Sequence, residues 1–216
     1  MIKYLKTRFG RKLERNISLL VLSFIYVFVW GLTSGDLERY GFGIIYSLIF
    51  IFATRAIKDN NKWLFLFSAI SIVSFWLSFF LDLKLVMLLS HMLSILFFSM
   101  SIVLLAIKLA KAKTISAIEF LEGINLYLLL GITGSLLLSL VYFLEPNAFN
   151  ASYKLNVPAD LIYFSFVTLT SLGYGDITPA MAVSKSLSIF LSFSGQIYIA
   201  MIVSMLVGKY LNSKTS

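Results

Sequence analysis

Between two apolar stretches of the chain, residues 168–176 read Thr-Leu-Thr-Ser-Leu-Gly-Tyr-Gly-Asp. Its two glycines, Gly173 and Gly175, alternate with larger residues, and glycine enters left-handed backbone conformations at little steric cost. Carbonyl groups of successive residues can then face one direction. If four copies met around an axis, rings of carbonyl oxygens could replace the water around a monovalent cation. The segment therefore has the pattern of an ion selectivity filter.

This segment resembles the filter of the potassium-channel pore-loop family. Its core, Gly-Tyr-Gly-Asp at residues 173–176, matches the family pattern, and two threonines match the hydroxyls that lead into it. The resemblance implies that K+ is the bound metal and is coordinated through backbone carbonyls. The implied filter residues are Ser171, Leu172, Gly173, Tyr174 and Gly175. The implied residues of filter support and the outer mouth are Thr168, Thr170 and Asp176.

Two positions depart from the family pattern. Ser171 stands where the family usually has threonine, and it keeps the hydroxyl of the innermost cation site. Leu172 stands where the family usually has valine, which moves the side-chain branch away from Cβ and loosens local stiffness. Selectivity therefore depends on whether these residues hold the carbonyl rings as threonine and valine would. A glycine-rich turn between two helices is the alternative that a lone Gly-x-Gly would favour.

Composition places the chain in a membrane. Of its 216 residues, 59% are hydrophobic and 13% charged, and the mean hydropathy is +0.92. The net charge of +8 is typical of cytoplasmic loops facing anionic lipid, and no nucleic-acid partner is expected. The chain has no cysteine, which excludes disulfides, cysteine-based zinc sites and a thiol catalyst.

Hydropathy predicts an all-α membrane protein with six transmembrane helices. The resemblance implies a re-entrant pore helix and a filter loop, and since one chain supplies one pore loop, a tetrameric pore is expected. The predicted divisions are a basic cytoplasmic segment (residues 1–16), a four-helix transmembrane domain (17–107), a cytoplasmic linker (108–117), a pore domain (118–211) and a short cytoplasmic tail (212–216). The predicted spans cover residues 17–33, 41–57, 63–81, 85–107, 118–144 and 186–208.

The distribution of basic residues orients these spans. Fourteen of the eighteen Lys and Arg residues fall on one side of the predicted topology, which the positive-inside rule assigns to the cytoplasm. Both termini are then cytoplasmic, and the filter lies towards the outer side. The expected location is the plasma or bacterial inner membrane.

The stretch before the filter predicts a short helix. Pro158 and Asp160 suit a helix start, and residues 161–170 are too few to cross a membrane. In the family, such a pore helix directs its partially negative end towards the cation. After the filter, Asp176 could form an acidic ring at the outer mouth or brace the filter by hydrogen bonds, and the two roles are compatible.

The sixth span carries two candidate functional residues. Gly195 lies near its middle, where glycine could serve as a gating hinge or allow close helix packing. Gln196 could face the cavity or hydrogen-bond a neighbouring helix. In the fourth span, residues 85–107 contain no Lys or Arg, so steep voltage gating is not expected. His91, in that span, could be a proton sensor or a neutral side chain bonded between helices.

The sequence thus predicts a homotetrameric potassium channel that passes ions passively and is not steeply voltage-gated. Its expected partners are further copies of itself and the lipid bilayer, with permeant K+ and no cofactor. No cytoplasmic ligand-binding domain is expected after the sixth span, so gating by such a ligand would need a separate regulatory subunit, which is left open. A weakly selective monovalent cation channel is the alternative. An intramembrane hydrolase is a remote one, because no nucleophile motif accompanies the single histidine, so we do not expect an enzyme.

Overall fold

A computed structural model describes residues 2–29, 36–57, 62–81, 83–112 and 116–214. The long helices are α1 (Ile2–Phe24), which continues as a π-helical turn over Ile25–Val29, α2 (Asp36–Ile57), α3 (Lys62–Leu81), α4 (Lys84–Ala110), α5 (Ala117–Leu144) and α7 (Ala182–Lys214). The shorter elements are a 3₁₀ turn (Pro146–Ala148), strand β1 (Phe149–Ala151), helix α6 (Ala159–Leu169) and strand β2 (Ile177–Pro179).

Five helices of the described residues are long and apolar enough to cross a membrane: Tyr40–Ile57, Lys62–Leu81, Lys84–Ala110, Ala117–Leu144 and Ala182–Ile202. The predicted first span, residues 17–33, is helical through residue 29, and its remainder lies outside the described residues. The largely helical membrane fold is therefore confirmed, while the count of six spans stays a prediction. Helix α4 extends to Ala110, inside the stretch predicted as a linker.

The chain divides into two compact units, Met1–Leu128 and Leu129–Ser216. In the first, α2 packs against α1, α3 and α4. Its centre is a group of buried aromatic rings: Phe50 lies 4.6 Å from both Phe97 and Phe98 between ring centroids, and Tyr46 lies 5.1 Å from Phe50. Ring packing of this kind gives a membrane domain van der Waals contacts where the hydrophobic effect supplies little.

A buried polar cluster lies among four helices of the first unit. Lys108 Nζ donates to Glu122 Oε1 and to the backbone carbonyl of Ala56, both at 2.6 Å. Asn125 Nδ2 donates to the backbone carbonyl of Asn16 at 3.0 Å. Glu122 and Asn16 are 2% exposed and Asn125 is fully buried. The sequence puts Lys108 in the predicted linker and Glu122 in the predicted fifth span, and it did not indicate their pairing, which depends on the packing of α1, α2, α4 and α5.

The second unit packs α6 and α7 together around a small apolar core. Its buried members are Leu138, Ala148, Phe149, Leu161, Phe164, Ile177 and Leu191. They come from α5, the loop after it, both strands, α6 and α7. The core therefore fixes the short helix α6 from several sides.

Two strands of three residues each add a sheet that the all-α prediction did not contain. β1 and β2 pair antiparallel, with Asn150 opposite Thr178. The backbone N–H of Ala180 and the Ser184 hydroxyl also donate to the carbonyl of Ala148, at 2.9 and 2.7 Å. The segment that follows the glycines is thereby attached to the loop that precedes α6.

Candidate functional site

Helix α6 leads directly into residues 170–176, the glycine segment. In the first turn of α6, Asp160 Oδ2 accepts a hydrogen bond from the backbone N–H of Asn156, just before the helix, at 2.7 Å. At its other end, the carbonyl of Val167 accepts from the N–H groups of Leu172 and Gly173, at 2.9 and 3.3 Å. These two bonds satisfy a carbonyl that the helix leaves unpaired, and they hold the glycine segment against the partially negative end of α6.

The backbone of the glycine segment alternates in handedness. The torsion φ is +57° at Ser171, +60° at Gly173 and +83° at Gly175, while the intervening Leu172 and Tyr174 have no positive φ. Alternation of this kind allows successive carbonyls to face one side, whereas an extended strand turns them to opposite sides. The positive φ of both glycines follows the sequence prediction, but that of Ser171 was not anticipated. Ser171 follows the last turn of α6, where its N–H donates to the Thr168 carbonyl at 3.0 Å and the Leu172 N–H donates to the Val167 carbonyl at 2.9 Å. These are the bonds of a Schellman motif, which places the residue after a helix in the left-handed region.

The Ser171 hydroxyl makes contacts with α7. Its Oγ lies 2.9 Å from the Oγ of Ser192 and accepts from Nε2 of Gln196 at 3.0 Å. Gln196 was singled out from sequence as a polar residue of the sixth span, and the structure brings its amide to the Ser171 hydroxyl. Ser192 was missed, and its spacing of four residues from Gln196 on one helix face was the available signal.

The two leading threonines differ in their contacts. Thr170 Oγ1 donates to the carbonyl of Phe166 at 2.7 Å, within the last turn of α6. Thr168 lies in that same turn and is half-buried. Roles of both threonines in filter support stay predictions.

The C-terminal end of the segment contacts α6 through Asp176. The Tyr163 hydroxyl donates to its Oδ2 at 2.7 Å. This hydrogen bond is the main reason that the pKa of Asp176 lies below its usual value. Burial, and then the bond to Asp176, raise the pKa of Tyr163 to about 12.

Gly195 lies directly against the end of α6. A Cβ atom built on this glycine would come 1.9 Å from the backbone oxygen of Leu169. No side chain fits such a space without movement of the backbone. Gly195 therefore has a packing requirement, and its role as a gating hinge stays a prediction.

Helix α6 is also fixed on its opposite side by α5. The Ser165 hydroxyl donates to the carbonyl of Gly131 at 2.7 Å, and the Phe166 ring fills the space where a Cβ of Gly131 would lie. Sequence reasoning assigned no role to Gly131 or Ser165. Glycine in a long apolar helix was the signal that a neighbour approaches closely there.

His91 belongs to the first unit. Its Nδ1 lies 3.0 Å from the carbonyl oxygen of Met87, one turn earlier in α4. A proton-sensing role for His91 stays a prediction. Among the described residues, no three His, Asp or Glu side chains come together as a metal site.

Comparison with known protein families gives a match over this part of the chain. Residues 126–211 match the family model described as Ion channel. The protein Two-pore potassium channel 2 of Arabidopsis thaliana is 41% identical over 56 residues, which are 26% of this chain and 12% of the relative. The alignment thus spans a small part of that relative's length. No solved structure gives a significant match.

The protein is thus a multi-pass membrane protein whose residues 126–211 match an ion-channel family. The resemblance to the potassium-channel pore-loop family is confirmed by this match and by the potassium-channel relative.

Proposed function

We propose that the protein is a potassium channel that conducts K+ passively through a homotetrameric pore. The observation that carries the proposal is the alternating backbone of residues 171–175 at the end of α6. Alternating φ lets the carbonyls of this segment form consecutive oxygen rings around an axis, and such rings can replace the hydration shell of K+. The match to the ion-channel family and the potassium-channel relative support the same ion.

Four copies are proposed because one chain supplies one such segment, and a ring around an ion needs several. Helix α7 supports this assembly. Its apolar residues Ile189, Phe193 and Met201 are 71%, 62% and 62% exposed in the single chain. We propose that neighbouring subunits cover much of this face. Mass measurement of the solubilised complex tests the number, and a monomer or dimer would contradict it.

The proposal also covers gating and orientation. Between Lys84 and Lys108, α4 has no Lys or Arg that could move in the membrane field, so conduction is not steeply voltage-dependent. Both termini are cytoplasmic in this orientation and the filter faces outwards, in the plasma or bacterial inner membrane. The protein acts without a cofactor and is not an enzyme. A separate regulatory subunit could supply the stimulus.

The decisive experiment is a reversal-potential measurement on purified protein in liposomes under unequal K+ and Na+. We expect the potential to follow the K+ gradient. An absence of conductance would contradict channel function altogether.

A weakly selective cation channel is the second candidate. Two observations favour it: Ser171 holds a left-handed conformation that costs a non-glycine residue about 1–2 kcal/mol, and Leu172 replaces the stiffer valine. Both could loosen the carbonyl rings. A reversal potential near zero, with equal K+ and Na+ currents, would establish this candidate in place of the selective channel.

A further inference from the structure

The inner end of the filter segment rests on a polar contact with α7. Ser171, at φ +57°, is the single non-glycine residue with positive φ in the described part of the chain. The Schellman bonds at the end of α6 account for this backbone conformation, and the side chain makes separate contacts with α7. The contacts available to the Ser171 side chain are the hydroxyl of Ser192 and the amide of Gln196.

The close approach of α7 makes these contacts possible. Ser192 and Gln196 lie one helical turn apart, and Gly195 stands beside Gln196 against the carbonyl of Leu169. A larger residue at position 195 would push α7 away from the end of α6. The two polar side chains would then lose the Ser171 hydroxyl.

The chemistry of the three groups sets a direction for the hydrogen bonds. The amide nitrogen of Gln196 only donates, so Ser171 Oγ uses one of its two lone pairs to accept from it. If Ser171 donates its own proton to Ser192, the second lone pair stays available to a cation. If Ser192 donates instead, both lone pairs are used and the Ser171 proton points outwards, which repels a cation.

We propose that Gln196 and Ser192 are positioning residues for the innermost cation site. The Gln196 amide donates a hydrogen bond to Ser171 Oγ, and the Ser171 hydroxyl donates its own hydrogen bond to Ser192 Oγ. The remaining lone pair of Ser171 Oγ then faces a permeant monovalent cation. This inference rests on the proposed potassium-channel function. It gives two side chains of α7 a role in ion selection without direct contact with the ion.

A double-mutant cycle tests the inference. Gln196→Met keeps an unbranched side chain of similar length without its donor, and Ser192→Ala removes the acceptor. Each is made alone and combined with Ser171→Ala, and the K+/Rb+ permeability ratio and the single-channel conductance are measured in liposomes. We expect each single change to shift the permeability ratio about fivefold, which is the effect of losing one ordinary hydrogen bond. In the Ser171→Ala background, neither should shift it further.

Ser194→Ala is the matched control, because the Ser194 hydroxyl donates to the Phe190 carbonyl of its own helix at 2.7 Å. It should leave the ratio unchanged. Unchanged ratios in conducting Gln196→Met and Ser192→Ala channels would overturn the inference, as would shifts that add fully to that of Ser171→Ala. If Gln196→Met fails to assemble, Ser192→Ala decides by the same criteria. A wild-type protein that conducts no K+ would instead refute the proposed function.

Discussion

The hydroxyl of Tyr163 donates a 2.7 Å hydrogen bond to the carboxylate of Asp176, thirteen residues further along the chain. The bond joins the middle of α6 to the residue that follows Gly175. Asp176 therefore contacts α6, while its bracing of a filter and an acidic ring at the outer mouth both stay predictions. At the other end of the same segment, the Ser171 hydroxyl contacts Gln196 and Ser192. Residues 171–176 are thus attached at both ends by side-chain hydrogen bonds.

We predict that Tyr163→Phe weakens ion discrimination, because it removes the hydroxyl that holds Asp176 and keeps the ring. The K+/Na+ permeability ratio should fall about fivefold, as expected for one lost hydrogen bond. Reversal potentials in liposomes provide the measurement. Tyr40→Phe is the control, since it removes a hydroxyl from an exposed tyrosine of the first unit and should leave the ratio unchanged. Equal ratios in Tyr163→Phe and wild type would show that the bond does not brace the filter.

The same bond predicts a pH dependence. Because the pKa of Asp176 is lowered, the stability that its charged form contributes is present above the usual aspartate pKa of about 3.9 and is lost as pH falls through the lowered value. The raised pKa of Tyr163 acts at the other limit: its contribution is present below the usual tyrosine pKa of about 10 and is lost as pH rises through about 12. The brace should therefore persist throughout the neutral range.

Titration of the external solution tests this expectation. In Tyr163→Phe, the pKa of Asp176 should rise towards its usual value, so conductance should decline at a higher pH than in wild type as the solution is acidified. Coincident acid limits in the two proteins would contradict a role of Tyr163 in setting the Asp176 pKa.

Gly195→Ala should destabilise the protein, because its Cβ would overlap the backbone oxygen of Leu169. Overpacking of this kind costs about 1–3 kcal/mol. Thermal unfolding of the solubilised protein, followed by size-exclusion chromatography, provides the measurement. Gly208→Ala is the matched control, since nothing lies within 4 Å of its added methyl group. A Gly195→Ala channel that is fully stable but opens rarely would favour the hinge over the packing requirement.

Lys108→Met should destabilise the first unit by about 3 kcal/mol, because it leaves the buried Glu122 carboxylate without its cation. The double change Lys108→Met with Glu122→Gln should recover part of that loss, since no uncompensated charge remains. Thermal unfolding tests both. Lys111→Met is the control, because Lys111 is an exposed lysine next to the end of the same helix. Equal effects of Lys108→Met and Lys111→Met would mean that the buried ion pair contributes nothing specific.

Sequence by itself determined the membrane class, the short helix before the glycine segment and which glycines adopt a left-handed backbone. Hydropathy and helix length follow from local composition, and left-handed backbone is a property of glycine itself. Helix α6 accordingly covers Ala159–Leu169, close to the predicted 161–170, and both glycines have positive φ.

Only the tertiary structure decided what holds these elements. The partners of Ser171 on α7, the Tyr163–Asp176 bond and the contact of Gly195 with Leu169 all join residues of different elements. The strands β1 and β2 are three residues each and form through pairing across 28 positions, which leaves almost no periodic signal. The pairing of Lys108 with Glu122 likewise joins two helices. Local pattern fixes which conformation a residue can adopt, but the partner of a polar side chain depends on how the helices pack.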